Sequence, residues 1–228
     1  MTTWTRGETR VSWHAGAVLI ESSGHGVLFD APEGTAAELS DTQLGRIDAI
    51  CLSSGVLRDL AGIMTVLERR SRRTERPATV VFPLGEERPS AVLGAWSSGW
   101  ADVASVVQDA VHPGASMVLG ACQLQIVAIG RGEPRYGASA SVQPTVGLGW
   151  RVQTSDARIA IGRLPVPDGA VERLVRGVDL AIIEVGVEDW PSSDRRWRLR
   201  PDEASRIVGS ADLWIVGDDG RFGAGVDQ

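Results

Sequence analysis

The feature that most constrains how this chain can fold is a succession of nine short apolar runs, many of them β-branched, each bounded by turn-forming residues. They are Val18–Glu21, Gly26–Asp30, Ala49–Ser53, Thr79–Phe82, Leu124–Ile129, Gly147–Gln153, Arg158–Gly162, Leu180–Glu184 and Leu213–Val216. Runs this short, closed by turns and rich in side chains that pack on a pleated surface, read as strands. Three segments carry helical signals instead. In Leu57–Arg70 the apolar residues Leu57, Leu60, Ile63, Met64 and Leu67 recur at helical spacing, and the basic run ERRSRRTER suits a helix C-terminus. Asp168–Arg176 and Pro201–Gly209 open on an acid or a proline and close on arginine or glycine. A strand-rich first half, a central β region and then strand–helix–strand repeats predict an α/β (α+β) chain, an αββα sandwich rather than a doubly wound sheet. The stretches HPGAS, GRGEPRYGASAS and LPVPDG read as loops too short for domain linkers, so one domain over residues 1–228 is expected.

Composition narrows the partners. A net charge of −6 disfavours general nucleic-acid binding, which needs a basic surface to release counterions from phosphate. Cys51 and Cys122 each lie in an apolar run, which predicts buried free thiols and fits a reducing cytoplasm. The polar N-terminus and the lack of an apolar run approaching ~18 residues predict neither a signal peptide nor a membrane anchor. All 23 basic residues of the Lys+Arg set are arginine, and asparagine is absent too. Drift in a GC-rich bacterial genome explains both absences. Escape from a lysine-modifying system is the functional alternative.

The segment Ile50–Ile63, ICLSSGVLRDLAGI, runs from a predicted buried strand into a predicted helix, with Ser54-Gly-Val56-Leu-Arg58-Asp59 at the junction. That frame resembles the metallo-β-lactamase superfamily, ribonuclease Z-like branch, whose members place H-x-H-x-D-H there. The resemblance implies a metallo-β-lactamase-like sandwich with Ser54, Val56, Arg58 and Asp59 at former zinc positions. Ser54 and Val56 lack the neutral nitrogen that zinc needs, and a guanidinium at a ligand position repels a divalent cation. Upstream, Gly26–Thr35 is similar to the family's L-I-D-x-G-x-G-T element, matched at Asp30 and Gly34. Downstream, Thr145–Val152, Arg158–Arg163, Asp179–Glu184 and Leu213–Asp218 resemble further family strands. They imply Gln143, Arg163, Ile183 and Asp218 at other former ligand positions, with Glu184 retained. Three histidines, His14, His25 and His112, are too few for a two-zinc site of this kind, and none has a partner at ligand spacing. Surface or turn-bonded histidines are expected, with a mononuclear site of His14 and Asp30 as the alternative.

Other motifs carry less. Gly130-Arg-Gly132 and Gly147-Leu-Gly149 lack the strand-to-helix context of a phosphate loop and read as turns or close strand packing. Ser53 and Ser54 have no predicted base nearby. Trp150 and Trp214 fall in predicted strands and read as core. Trp190 and Trp197, with Arg195 and Arg196 between them, mark either a contact surface or a merely decorated loop. These observations lead to the expectation of a zinc-independent, cofactor-free pseudoenzyme acting as a scaffold, regulatory or protein-binding subunit. By family analogy its partner is a second copy or an active homologue. The alternatives are a hydrolase rebuilt on Asp30, Asp59, Glu184 and Asp218, and an anion or small-molecule sensor using Arg58 and Arg163.

Overall fold

The computed structural model describes residues 2–100, 105–134, 142–163, 165–185, 199–217 and 222–224. It contains two mixed seven-stranded sheets with helices. The α+β class is therefore as the sequence predicts. The chain divides into two compact units, Met1–His112 with Met117–Gln123 and Thr154–Asp156, and Pro113–Ser116 with Leu124–Gln153 and Ala157–Gln228.

The first sheet runs in chain order: β1 (Thr3–Arg6), β2 (Thr9–His14), β3 (Ala17–Ser22), β4 (His25–Phe29), β5 (Ile47–Cys51), β6 (Ala78–Pro83) and β7 (Val106–Val111). Strands β1 to β4 pair antiparallel through tight turns, and β4 to β7 pair parallel. Each parallel step needs a crossover. These crossovers carry α1 (Thr35–Glu38), α2 (Asp41–Arg46), α3 (Leu57–Leu60), α4 (Ile63–Ser71) and α5 (Glu87–Trp100). Alternating strand residues Leu19, Leu28, Ile50 and Val80 pack against Leu44, Val66, Leu67, Leu93 and Trp96 of the helices. Burying side chains of this size stabilises the layer by roughly 1.5–3 kcal/mol each. Helix α2 starts at a capping box, in which Ser40 Oγ accepts the Gln43 N–H and Gln43 Oε1 accepts the Ser40 N–H.

The second sheet comprises β8 (Ser116–Leu119), β9 (Cys122–Pro134), β10 (Val142–Gln153), β11 (Arg158–Gly162), β12 (Leu180–Val185), β13 (Asp212–Gly217) and β14 (Phe222–Ala224). Strands β11, β12 and β13 pair parallel. Helices α6 (Gly169–Val175) and α7 (Pro201–Val208) form their crossovers and bury Val171, Leu174, Ala204 and Val208 against Ala160, Ala181 and Ile183. The Asp168 side chain caps α6 by accepting the Ala170 and Val171 N–H groups. Gly149 belongs to close packing rather than to a turn, because a Cβ there would stand 3.0 Å from Leu174 Cδ2.

The structure corrects three sequence expectations. Leu57–Arg70 is two helices, because the loop after β4 enters between them: Ala31 N–H donates to Asp59 O, and Gly62 N–H to Ala31 O, both at 2.7 Å. A Cβ on Gly62 would lie 2.2 Å from Pro32 O. Gly62→Ala is therefore expected to cost about 2 kcal/mol, measurable by chemical denaturation; an unchanged midpoint would show that the loop shifts freely. His14 is fully buried in β2, not a surface or turn histidine, because it lies on the strand face that α1 and α2 approach. Finally, β1, β2, β7, β8, β14, α1, α2 and α5 exist beyond the runs the sequence marks. Trp150 and Trp214 are buried, as are both free cysteines. Burial pushes both thiols up, Cys122 to about 11, so neither forms a reactive thiolate near neutrality. Among the described residues no helix is long and apolar enough to cross a membrane.

Candidate functional site

In the first unit, the loops after the parallel strands β4 and β5 hold a tight polar network. Asp30 sits just past β4 at φ 58°, in the left-handed region, with its N–H donating to Cys51 O at 2.9 Å. Its carboxylate reaches the segment just past β5, where it accepts the Ser53 N–H at 2.7 Å and the Ser53 hydroxyl at 3.0 Å. All four oxygens and donors involved are buried, so the bonds are strong and fix the start of the next loop.

That loop is the Ser54–Asp59 segment. Ser54 Oγ donates to Asp59 Oδ2 at 2.7 Å and accepts the Val56 N–H at 3.1 Å. Arg58 Nε stands 3.5 Å from Asp59 Oδ1. The Asp59 side chain is wholly buried, whereas Arg58 is about a third exposed. Thus Ser54, Arg58 and Asp59 are brought together, with the carboxylate turned inward on its own loop, and Val56 contributes only its backbone to that network.

In the second unit, the parallel register sets Gly162 beside Ile183, so the residues that follow, Arg163 and Glu184, are neighbours at the carboxyl ends of β11 and β12. They form an ion pair, Nε to Oε2 at 3.1 Å, with side chains 5% and 3% exposed. Ile183 does not join them. It packs in the helix-side cluster with Ala181 and Val185, as strand alternation requires. Gln143 lies in β10, its side chain outside the described residues, and Asp218, Trp190, Arg195, Arg196 and Trp197 also lie outside them.

The histidines have other occupations. His14 Nε2 is 2.8 Å from Ser12 Oγ and 3.4 Å from Gln43 Nε2, and burial lowers its pKa, which keeps the ring neutral. His25 Nδ1 meets Asp48 Oδ2 at 2.6 Å, and His112 is exposed just past β7. The alternative pairing of His14 with Asp30 is not formed, since His14 meets Ser12 and Gln43 and Asp30 meets Ser53. The sequence also passes over a polar cleft of about 530 Å³ lined by Arg10, Glu21, Glu38, Gln43 and Arg46. Its signal was the alternation Arg10, Ser12, His14, which puts three polar side chains on one face of β2.

No protein-family model and no curated protein matches the sequence. Solved structures do match it. The chain is similar to Zn²⁺-bound PqqB from Methylobacterium extorquens, with a TM-score of 0.65 at 13% identity over 86% of this chain and 73% of that one. It is similar to the metallo-β-lactamase fold protein YhfI from Bacillus subtilis, with a TM-score of 0.63 at 13% identity over 87% and 76%. The chain has the metallo-β-lactamase fold. The short form of human tRNase Z also superposes, with a TM-score of 0.53 at 18% identity over 76% and 72%. At these identities the likeness concerns the metallo-β-lactamase fold alone. Zinc does not fit the side chains described at the Ser54–Asp59 loop. They offer a serine hydroxyl and a carboxylate bonded to each other, an aliphatic side chain and a guanidinium, and no imidazole. Among the described residues, no three His, Cys, Asp or Glu side chains converge as metal ligands.

Proposed function

We propose that this chain is a metal-free pseudoenzyme of the metallo-β-lactamase fold, a single domain over residues 1–228 that has lost the zinc motif and works as a scaffold, regulatory or protein-binding subunit. The observation that carries the reading is Asp59. The one acid in the Ser54–Asp59 loop is fully buried, with Oδ2 taken by the Ser54 hydroxyl and Oδ1 facing the Arg58 guanidinium at 3.5 Å. The fold's core comes from sheets and helices, whereas the loops at the strand ends make the site, so ligands can be lost without losing the core.

A hydrolase rebuilt on carboxylates would need Asp30, Asp59, Glu184 and Asp218 available to a cation. Asp30 is engaged by Ser53, Asp59 by Ser54 and Arg58, and Glu184 by Arg163. An anion sensor would need the two arginines uncommitted, and each already faces a carboxylate. Both facts favour the scaffold. Its partner is proposed to be a second copy or an active homologue, with Trp190, Arg195, Arg196 and Trp197 as the contact loop. The decisive measurement is metal analysis of protein expressed in zinc-supplemented medium. Less than about 0.1 zinc per chain is expected, and about one or two ions per chain would sink the reading.

A further inference from the structure

On the helix-bearing face of the first sheet, Arg10 of β2 and Glu21 of β3 occupy directly opposite register positions. Oppositely charged residues so placed ordinarily close into a cross-strand ion pair. These two do not come within ion-pairing distance. Arg10 is exposed and has no acid of its own among the described residues. Glu21 is 8% exposed, accepts no hydrogen bond among the described residues, and meets only the Arg46 guanidinium, at 3.6 Å. Its oxygens keep contact with solvent through the cleft, where a ligand's donors can reach them.

Both side chains open instead into the cleft of about 530 Å³, a volume in the range of small-molecule sites. Two other polar side chains of the cleft are held in place. Glu38 Oε2 accepts the Ala15 N–H at 2.7 Å, Gln43 Oε1 accepts both the N–H and the hydroxyl of Ser40, and Gln43 Nε2 is turned to His14. The cleft thus presents an unspent guanidinium fork beside a carboxylate with bonds to spare, and its wall adds one further positive charge, Arg46, and two further negative ones, Glu38 and Glu8, the last accepting the Ser23 hydroxyl at 3.1 Å. A pure anion would meet Glu21 and Glu38, and a pure cation would meet Arg10 and Arg46, each with a like-charge penalty. A molecule carrying both charges a few atoms apart satisfies both sides at once.

We propose that this cleft binds a small zwitterion of the free α-amino acid class, its carboxylate on Arg10 and its ammonium on Glu21 and Glu38. The proposal goes beyond the scaffold reading and does not depend on it, since the cleft shares no residue with the Ser54–Asp59 loop. The guanidinium fork suits bidentate contact with a carboxylate, and an ammonium supplies the three donors that Glu21 lacks.

The test uses the intact chain. Each of the common free amino acids at about 10 mM, far above a useful dissociation constant, is screened by thermal shift. The best is then titrated calorimetrically beside its N-acetyl derivative, which lacks the ammonium, and its amide, which lacks the carboxylate. At least one amino acid should raise the melting midpoint, and each derivative should bind roughly tenfold more weakly or worse. Arg10→Ala, at an exposed position, should stay folded by circular dichroism and lose a similar factor in affinity, and Glu21→Gln should do the same where it folds. No shift with any amino acid, derivatives that bind as tightly as the parent, or wild-type affinity in Arg10→Ala would each overturn the proposal.

Discussion

Glu184→Leu is expected to destabilise the protein by about 3–5 kcal/mol, because it withdraws a carboxylate that the buried Arg163 guanidinium faces. In a chain of this size that lowers the thermal midpoint by roughly 10 °C. The reasoning starts from register. Ile183 faces Gly162 across β11 and β12, and Glu184 stands beside Val216 of β13, so the Glu184 side chain projects from the middle strand of a parallel trio. Arg163, one step past Gly162, meets it at 3.1 Å, and both side chains are almost wholly removed from water. Leucine has similar bulk and so creates little cavity, which makes the lost charge contact with Arg163 the dominant cost. The companion variant separates this cost from packing. Arg163→Met with Glu184→Leu removes both charges, and should recover most of the lost stability, since apolar replacements of similar volume are often neutral or better. A double variant as unstable as the single one would place the effect in packing, not charge.

Legibility in the sequence followed from how local each determinant is. The strands from β3 to β6, and from β9 to β13, declare themselves through contiguous apolar, β-branched residues, and α6 and α7 through Asp168 and Pro201 at their starts. The β2 strand was overlooked because its buried side carries Ser12 and His14, polar residues that meet each other, with His14 Nε2 also near Gln43 of a distant helix. Helix α5 has Gly94, Gly99 and serines where strong helix formers would be expected; burial of Leu93 and Trp96 compensates for weak propensity. The break at Gly62 could not be read locally, since the loop that causes it begins at Asp30, some thirty residues earlier. The candidate site divides the same way. The Ser54–Asp59 segment is visible as a motif frame, and the chemistry of its residues follows from their types. The partners do not: Ser53 on Asp30 and Arg163 on Glu184 each require two strands brought into register by the rest of the fold. Ile183 and Glu184 show how fine that dependence is, one residue being enough to exchange one face of a strand for the other.

Arg70→Ala is expected to cost about 4 kcal/mol or more, since it exposes a buried void and leaves several carbonyls without donors. The sequence alone suggests that the run ERRSRRTER is a helix C-terminus. In the structure its arginines are committed. Arg69 and Arg73 pair with Asp41, Arg72 with Glu68, and Arg76 with Asp48. Arg70 differs from these, being 1% exposed with no carboxylate in ion-pairing distance among the described residues. Its guanidinium donates to three backbone oxygens, Ile47 O at 2.5 Å, Arg76 O at 2.7 Å and Pro77 O at 3.2 Å. It therefore ties the last turn of α4 to the start of β5 and to the segment entering β6. Burial and the nearby Arg76 both lower its pKa, but a guanidinium titrates so high that it stays protonated at neutral pH. Two further variants divide the cost. Arg70→Met keeps most of the stem and its packing while abandoning all three carbonyls, and should still lose about 3 kcal/mol. Arg70→Lys retains the charge, but an ammonium cannot span acceptors set out for a planar fork, so its stability should fall between methionine and the wild type. Denaturation midpoints for the three variants decide the matter: methionine within about 1 kcal/mol of the wild type would mean that Arg70 acts as a buried aliphatic stem, and that the carbonyls are satisfied without it.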